Sequence, residues 1–213
     1  MKIGRLHVLT DFLFQQKYAH AELARLAIEG GADTIQFRQK AGTCRHKLFS
    51  AKRTAAICKE TGTQLIIDDH LDIMQAVDAQ GVHLGRTDFP VADARLVVGK
   101  NKVIGATANS LKEVTAGAEA GADYIGYGPI YYSDSKANLA SIQGLDGLKK
   151  ACQLVDIPVI AIAGITANRV QEVLDAGAHG VAIMSAISTA DDPSAETRAF
   201  RNAIDAFFLA SAV

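Results

Sequence analysis

The chain has 213 residues, and its 22 Lys and Arg nearly balance 23 Asp and Glu, for a formal net charge of −1. That balance leaves no basic footprint for nucleic acid, and no apolar run approaches the roughly 18 residues of a membrane span. The three cysteines (Cys44, Cys58, Cys152) are odd in number and widely spaced, which argues against a disulfide framework and for a reducing cytoplasm, each thiol serving as a small apolar residue.

Taken in chain order, the apolar runs predict eight strands, near Leu6–Leu9, Thr34–Phe37, Gln64–Ile67, Gly81–Leu84, Val103–Ala106, Tyr124–Tyr127, Val159–Ile162 and Val181–Met184. The N-terminus leads directly into the first of them and does not resemble a signal peptide. Amphipathic segments separate the strands: Ala21–Glu29, Lys47–Glu60, Leu111–Ala120, Gly147–Leu154 and Asn168–Ala176. In one of these, Leu111, Val114, Ala118 and Ala122 keep the spacing of a helix face. Three helices end in Gly31-Ala-Asp, Gly121-Ala-Asp or Gly177-Ala-His, each followed at once by a strand, with a looser version at Ala79-Gln-Gly. Glycine at such a junction closes a helix in the left-handed conformation. The strands do not alternate, as expected of parallel strands covered on both sides. Eight such units predict a single (β/α)8 barrel spanning residues 1–213; a doubly wound open sheet is the alternative, but no Gly-x-Gly-x-x-Gly opens the first helix.

Barrels of this kind keep their chemistry at the carboxyl ends of the strands. The second strand ends with Gln36, Arg38 and Lys40 on one side of an extended chain. Two cations and an amide inside a barrel suit an anionic ligand; the plainer reading is an ion pair with Asp33 or Asp69. The third strand ends in Asp68-Asp69-His70 and the fourth leads to Asp88. Asp69 and Asp88 are candidates to share one Mg2+, although Asp69 also fits a helix cap. His83, alone in an apolar strand, reads as a hydrogen-bonded core residue. Thr107 offers a hydroxyl at the fifth strand end, while Asn109 or Ser110 starts the next helix. The sixth strand breaks at Gly128-Pro129 into a loop carrying Ser133, Asp134, Ser135 and Lys136, a set suited to phosphate oxygens; Gly126 and Gly128 are expected to let a ligand approach. Gly164 and the Met184-Ser185 pair follow strands seven and eight, where barrels often bind phosphate; the plainer readings are a tight turn and an N-cap. With no Ser-His-Asp set or reactive thiol, the chemistry should rest on positioning and electrostatics.

With these residues in view, the chain resembles the thiamine phosphate synthases and their relatives, the TenI thiazole tautomerases. The resemblance runs from Leu9-Thr-Asp11 to Ser185-Ala-Ile187, through Gln36-Phe-Arg-Gln-Lys40, Ile66-Ile-Asp-Asp69, Gly81-Val-His-Leu-Gly-Arg-Thr-Asp88, Gly121-Ala-Asp-Tyr-Ile-Gly-Tyr-Gly-Pro-Ile130 and Pro158-Val-Ile-Ala-Ile-Ala-Gly-Ile165. It implies a barrel that joins hydroxymethylpyrimidine diphosphate to a thiazole phosphate and releases pyrophosphate by a dissociative route. It also implies that Gln36, Arg38 and Lys40 hold the pyrimidine diphosphate and that Asp69 and Asp88 bind Mg2+. Thr107 and Asp68 stand by the pyrimidine, Ser133 and Ser135 meet the thiazole phosphate, and Lys136 meets the diphosphate. Gly164, Met184 and Ser185 form the phosphate-binding ends of strands seven and eight. Arg38, Lys136 and Thr107 are the residues it places nearest the reacting atoms. Small-molecule substrates are the implied partners, without nucleic acid or membrane, and a homodimer is compatible with it.

The chain departs from the family pattern mildly where Thr107 stands for a serine and Ser133 and Ser135 for threonines, and more strongly at three other places. Asp68 stands for an asparagine, Gln39 for the acid of Arg-Glu-Lys, and Ala163 for the first glycine of a Gly-Gly pair. An anion at Asp68 is expected to weaken diphosphate binding by like-charge repulsion. Two other readings follow: a TenI-like tautomerase, disfavoured because Ala108 and Asn109 occupy the place of its histidine, and a barrel that binds thiamine precursors without turnover.

Overall fold

Each strand hydrogen-bonds in parallel with its sequence neighbour, and the last returns to the first, closing a barrel in the order β1 to β8. The computed structural model describes residues 2–12, 16–133 and 141–210. The strands are β1 Leu6–Thr10, β2 Thr34–Phe37, β3 Gln64–Asp68, β4 Gly81–Leu84, β5 Val103–Ala108, β6 Tyr124–Tyr127, β7 Val159–Ile162 and β8 Gly180–Ile183. The helices are α1 His20–Glu29, α2 Cys44–Thr61, α3 Leu71–Ala76, α4 Val91–Val98, α5 Leu111–Glu119 and α6 Gly144–Leu154, then α7 Val170–Asp175 behind a 3-10 turn at Ala167–Arg169, α8 Ser185–Ser188 and α9 Pro193–Ala210. Among the described residues no helix is long and apolar enough to cross a membrane.

The helix ends follow local chemistry. Gly31, Gly121 and Gly177 take φ of +99°, +92° and +100°, the left-handed stops that the repeated Gly-Ala junctions predict. At the looser Ala79-Gln-Gly junction a non-glycine does this, Asp78 at φ +51°. The Ser110 hydroxyl accepts from Glu113 N at 3.3 Å, and Glu113 Oε2 accepts from Asn109 N at 2.6 Å, a reciprocal cap that starts α5. The helix face expected to include Ala122 is shorter than predicted. α5 ends at Glu119, and Ala122 is buried beyond it.

Two apolar cores result. The larger lies between barrel and helices and includes Leu6, Val8, Ile35, Phe37, Ile67, Ile104 and Val181. The smaller fills the barrel itself, from Ile3, Leu9, Ile66, Val103, Tyr124, Ile160 and Ala182. Because side chains alternate along a strand, the same register that seals the outer core aims Gln36, Asp68, His83 and Thr107 inward. Tyr124 fits only because Gly105 faces it: a Cβ at Gly105 would lie 2.2 Å from the tyrosine Cζ.

Candidate active site

A polar cluster stands above the inner core at the carboxyl ends of β1 to β4. Gln36 Nε2 donates to Asp68 Oδ1 at 2.7 Å. Arg38 bridges two buried acids, pairing with Asp11 Oδ2 and, through Nε at 3.4 Å, with Asp68 Oδ2. Lys40 pairs with Asp69 and lies 3.9 Å from Asp68. Gln36, Arg38 and Lys40 therefore converge as the alternation predicts. Lys40 realises the expected pairing with Asp69, but Asp33 is not a partner. It sits at the opposite end of the barrel, accepting from Arg5 N, Leu6 N and Arg201. Asp11 was not singled out as a site residue, although it follows a buried strand just as Asp68 does.

Burial, reinforced by the Asp69 carboxylate, pushes Asp68 up to about 7 against the pull of Lys40 and Arg38. The repulsion expected from an anion at this position is correspondingly reduced, because burial favours the neutral carboxyl and two cations, Arg38 and Lys40, stand beside it. Asp69 is raised by burial and by its contact with Asp88, with Lys40 opposing. Its backbone adopts φ +67° and its N–H donates to His83 O at 2.8 Å. Asp69 is no helix cap: α3 begins after His70, and no side chain caps it. Asp88 Oδ2 also accepts from Gly85 N at 2.8 Å. No group of three or more His, Cys, Asp or Glu suited to a metal occurs among the described residues. The facing Asp69–Asp88 pair nonetheless has the all-oxygen chemistry of a hard-cation site completed by substrate oxygens.

Below this cluster His83 links Tyr124 OH, 2.9 Å from Nδ1, to the Thr107 hydroxyl, 2.9 Å from Nε2. His83 is thus the hydrogen-bonded core residue expected of it, and Thr107 faces the interior. Burial pushes the Cys58 and Cys152 thiols up to about 12 and 11, which leaves little nucleophile in either. Cys44 departs from the apolar expectation, being exposed and donating to Asp72 at 3.7 Å.

On the β7–β8 side a cavity of about 410 Å3 opens. Arg38, Ser133, Gly164, Arg169, Met184 and Ser185 are among its lining residues. Gly164 has φ +69°, and a Cβ there would lie 2.5 Å from Tyr132 O and 2.6 Å from Tyr131 Cβ, so the turn demands glycine. Among the described residues the backbone N–H groups of Gly164 and Ile165 donate no hydrogen bond, which leaves donors at the cavity wall. Ser185 is the first residue of α8, and Met184 occupies its N-cap position. Ser135 and Lys136 lie outside the described residues. Gly126 in β6 and Gly128 just after it differ from expectation: a Cβ at Gly126 would meet His83 Cε1 at 2.9 Å and one at Gly128 would meet Ile162 O at 2.3 Å. They make room for the barrel's own atoms, and the Gly128–Pro129 peptide is cis. A larger hollow, about 1000 Å3, lies at the amino ends of the strands around Asp33, Lys59 and Arg201. Its Asp33 already accepts three hydrogen bonds at Oδ2, from Arg5 N, Leu6 N and Arg201, and the carboxylate–cation cluster is at the other end.

Fold and site together define a (β/α)8-barrel protein with a carboxylate–cation cluster and a cavity large enough for a small-molecule ligand side by side at the carboxyl ends of its strands. Comparison with known proteins gives the family. The family model described as thiamine monophosphate synthase matches residues 7–187, and the chain belongs to that family. A thiamine-phosphate synthase of Salinibacter ruber is 59% identical over 203 residues, covering 95% of this chain and 89% of the relative. One from Chloroflexus aurantiacus is 40% identical, covering 92% of this chain and 91% of the relative. Among solved structures, thiamine phosphate pyrophosphorylase from Pyrococcus furiosus superposes with a TM-score of 0.87 at 35% identity, covering 95% of this chain and 96% of that one.

Proposed function

We propose that this protein is a thiamine-phosphate synthase, joining hydroxymethylpyrimidine diphosphate to a thiazole phosphate with release of pyrophosphate. The observation that carries the reading is the position of Arg38. It belongs both to the acid–cation cluster and to the wall of the Gly164–Ser185 cavity, so a diphosphate on the cluster and a phosphate in the cavity would be neighbours. The names of the relatives agree with this arrangement.

In this reading Arg38 and Lys40 exchange their carboxylate partners for diphosphate oxygens, with Lys136 contributing from the β6 loop. The bond between the pyrimidine methylene and the diphosphate oxygen breaks, and its electron pair leaves with pyrophosphate. The thiazole nitrogen then forms the new C–N bond to the methylene carbon. Gln36, Asp68 and Thr107 orient the pyrimidine. Ser133, Ser135, Ser185, Met184 and the amides at Gly164 hold the thiazole phosphate, so that two bound reactants meet without a protein nucleophile. Asp69 and Asp88 would hold a Mg2+ ion, which would supply neutralising charge for the diphosphate.

The test is incubation of the purified protein with both substrates and Mg2+. Thiamine phosphate that forms and disappears on chelation supports the synthase. Binding of both substrates without product overturns it in favour of a non-catalytic barrel. Conversion of a carboxythiazole tautomer instead would indicate the tautomerase. Against that last outcome, Ala108 is buried and Asn109 donates to Gly128 O, so no imidazole stands after β5.

A further inference from the structure

Tyr131 leaves β6 and runs beside the end of β7, its backbone N–H donating to Ala163 O at 3.1 Å. Its ring is held from α7 and the preceding 3-10 turn. The Arg169 guanidinium lies over it, 4.3 Å from the centroid, and the phenol donates to Glu172 Oε1 at 2.6 Å. Arg169 and Glu172 are three residues apart, so they rise from one side of the helical segment and grip the ring together. Arg169 also donates from NH1 to Gly164 O at 3.0 Å. One arginine thus ties the β6 loop, the Gly164 turn and α7 together at the cavity rim.

We infer that Arg169 is a positioning residue for the phosphate half of the site, acting as a latch through Tyr131 and the Gly164 carbonyl. The inference rests on the synthase reading for the identity of the ligand. Pinning the Gly164 carbonyl fixes that peptide plane and hence the direction of the opposite Ile165 N–H. Pinning Tyr131 sets where Tyr132 and Ser133 meet the cavity. The chemistry is specific to arginine, since a planar guanidinium stacks on a ring while donating in its own plane, and an ammonium does not.

Calorimetric titration of the thiazole phosphate tests this without requiring turnover. Arg169→Met and Tyr131→Leu should each raise its Kd roughly tenfold, the combined size of one stack and one hydrogen bond. The Kd for the pyrimidine diphosphate should stay unchanged. The double variant should bind no worse than the weaker single one, because both changes open the same latch. Arg169→Lys should behave like Arg169→Met. Losses that multiply in the double variant, or full rescue by lysine, would mean that Arg169 contacts the phosphate directly and would overturn the latch. Unchanged affinity in the single variants, or equal losses for both ligands, would overturn it as well. Wild-type turnover is scored separately: an active wild type whose variants fail these tests sinks the latch alone, whereas a wild type that neither binds nor turns over the substrates sinks both readings.

Discussion

Gly164→Ala is the sharpest probe of the turn on which the cavity depends. At φ +69° an alanine pays the left-handed penalty, about 1–2 kcal/mol. Its methyl would also arrive 2.5 Å from Tyr132 O and 2.6 Å from Tyr131 Cβ, overpacking that costs about 1–3 kcal/mol more. The total, about 2–5 kcal/mol, lowers Tm by roughly 5–15 °C for a chain of this size. Ala163 is the internal control, because it already sits at φ +81°. Ala163→Gly relieves about 1–2 kcal/mol of strain and loses about 0.4–1 kcal/mol through a freer unfolded chain. The net gain is about 0.5–1 kcal/mol. Thermal and urea unfolding of the two variants beside the parent measure both effects. If Gly164→Ala melts with the parent, or Ala163→Gly melts below it, the account of this turn is wrong.

Asp68→Asn should change how stability depends on pH. The folded-state pKa of Asp68 is raised from 3.8 to about 7, so its contribution is fully present below the unfolded pKa and is lost as pH rises through 7. The loss is at most about 4 kcal/mol. In metal-free buffer the parent should therefore lose stability relative to Asp68→Asn as pH rises from about 4 to about 7 and level off above that, and parallel curves would refute the raised carboxyl. Asp88→Ala should abolish Mg2+-dependent turnover, and steady-state rates equal to the parent's would remove Asp88 from the metal site. Tyr124→Phe deletes the partner of His83 Nδ1 in the barrel interior and should cost about 1–3 kcal/mol by urea denaturation; a neutral result would show that this hydrogen bond contributes nothing net.

The barrel was legible because its cues are local. A buried parallel strand reads as a short apolar run, and a helix stop reads as glycine, so Thr34–Phe37, Gly81–Leu84, Tyr124–Tyr127 and Val159–Ile162 have the same limits in sequence and structure. The candidate residues at strand ends were legible for the same reason, since charge after a buried strand has few structural uses. Whether those charges meet was not local information. Parallel pairing of β1 with β2 makes Asp11 the partner of Arg38 in place of the pairing expected with Asp33, and burial raises Asp68 above the ordinary carboxylate range. Packing also fills the space at Gly126 and Gly128 with His83 and Ile162, where a ligand had been expected. Composition, periodicity and turn chemistry thus determined the fold class and the end of the barrel where the site lies. Only the packing of the strands and loops in three dimensions decided which side chains pair, which carboxyl is raised by burial and which loops are tied together, because those depend on distances between elements separated along the chain.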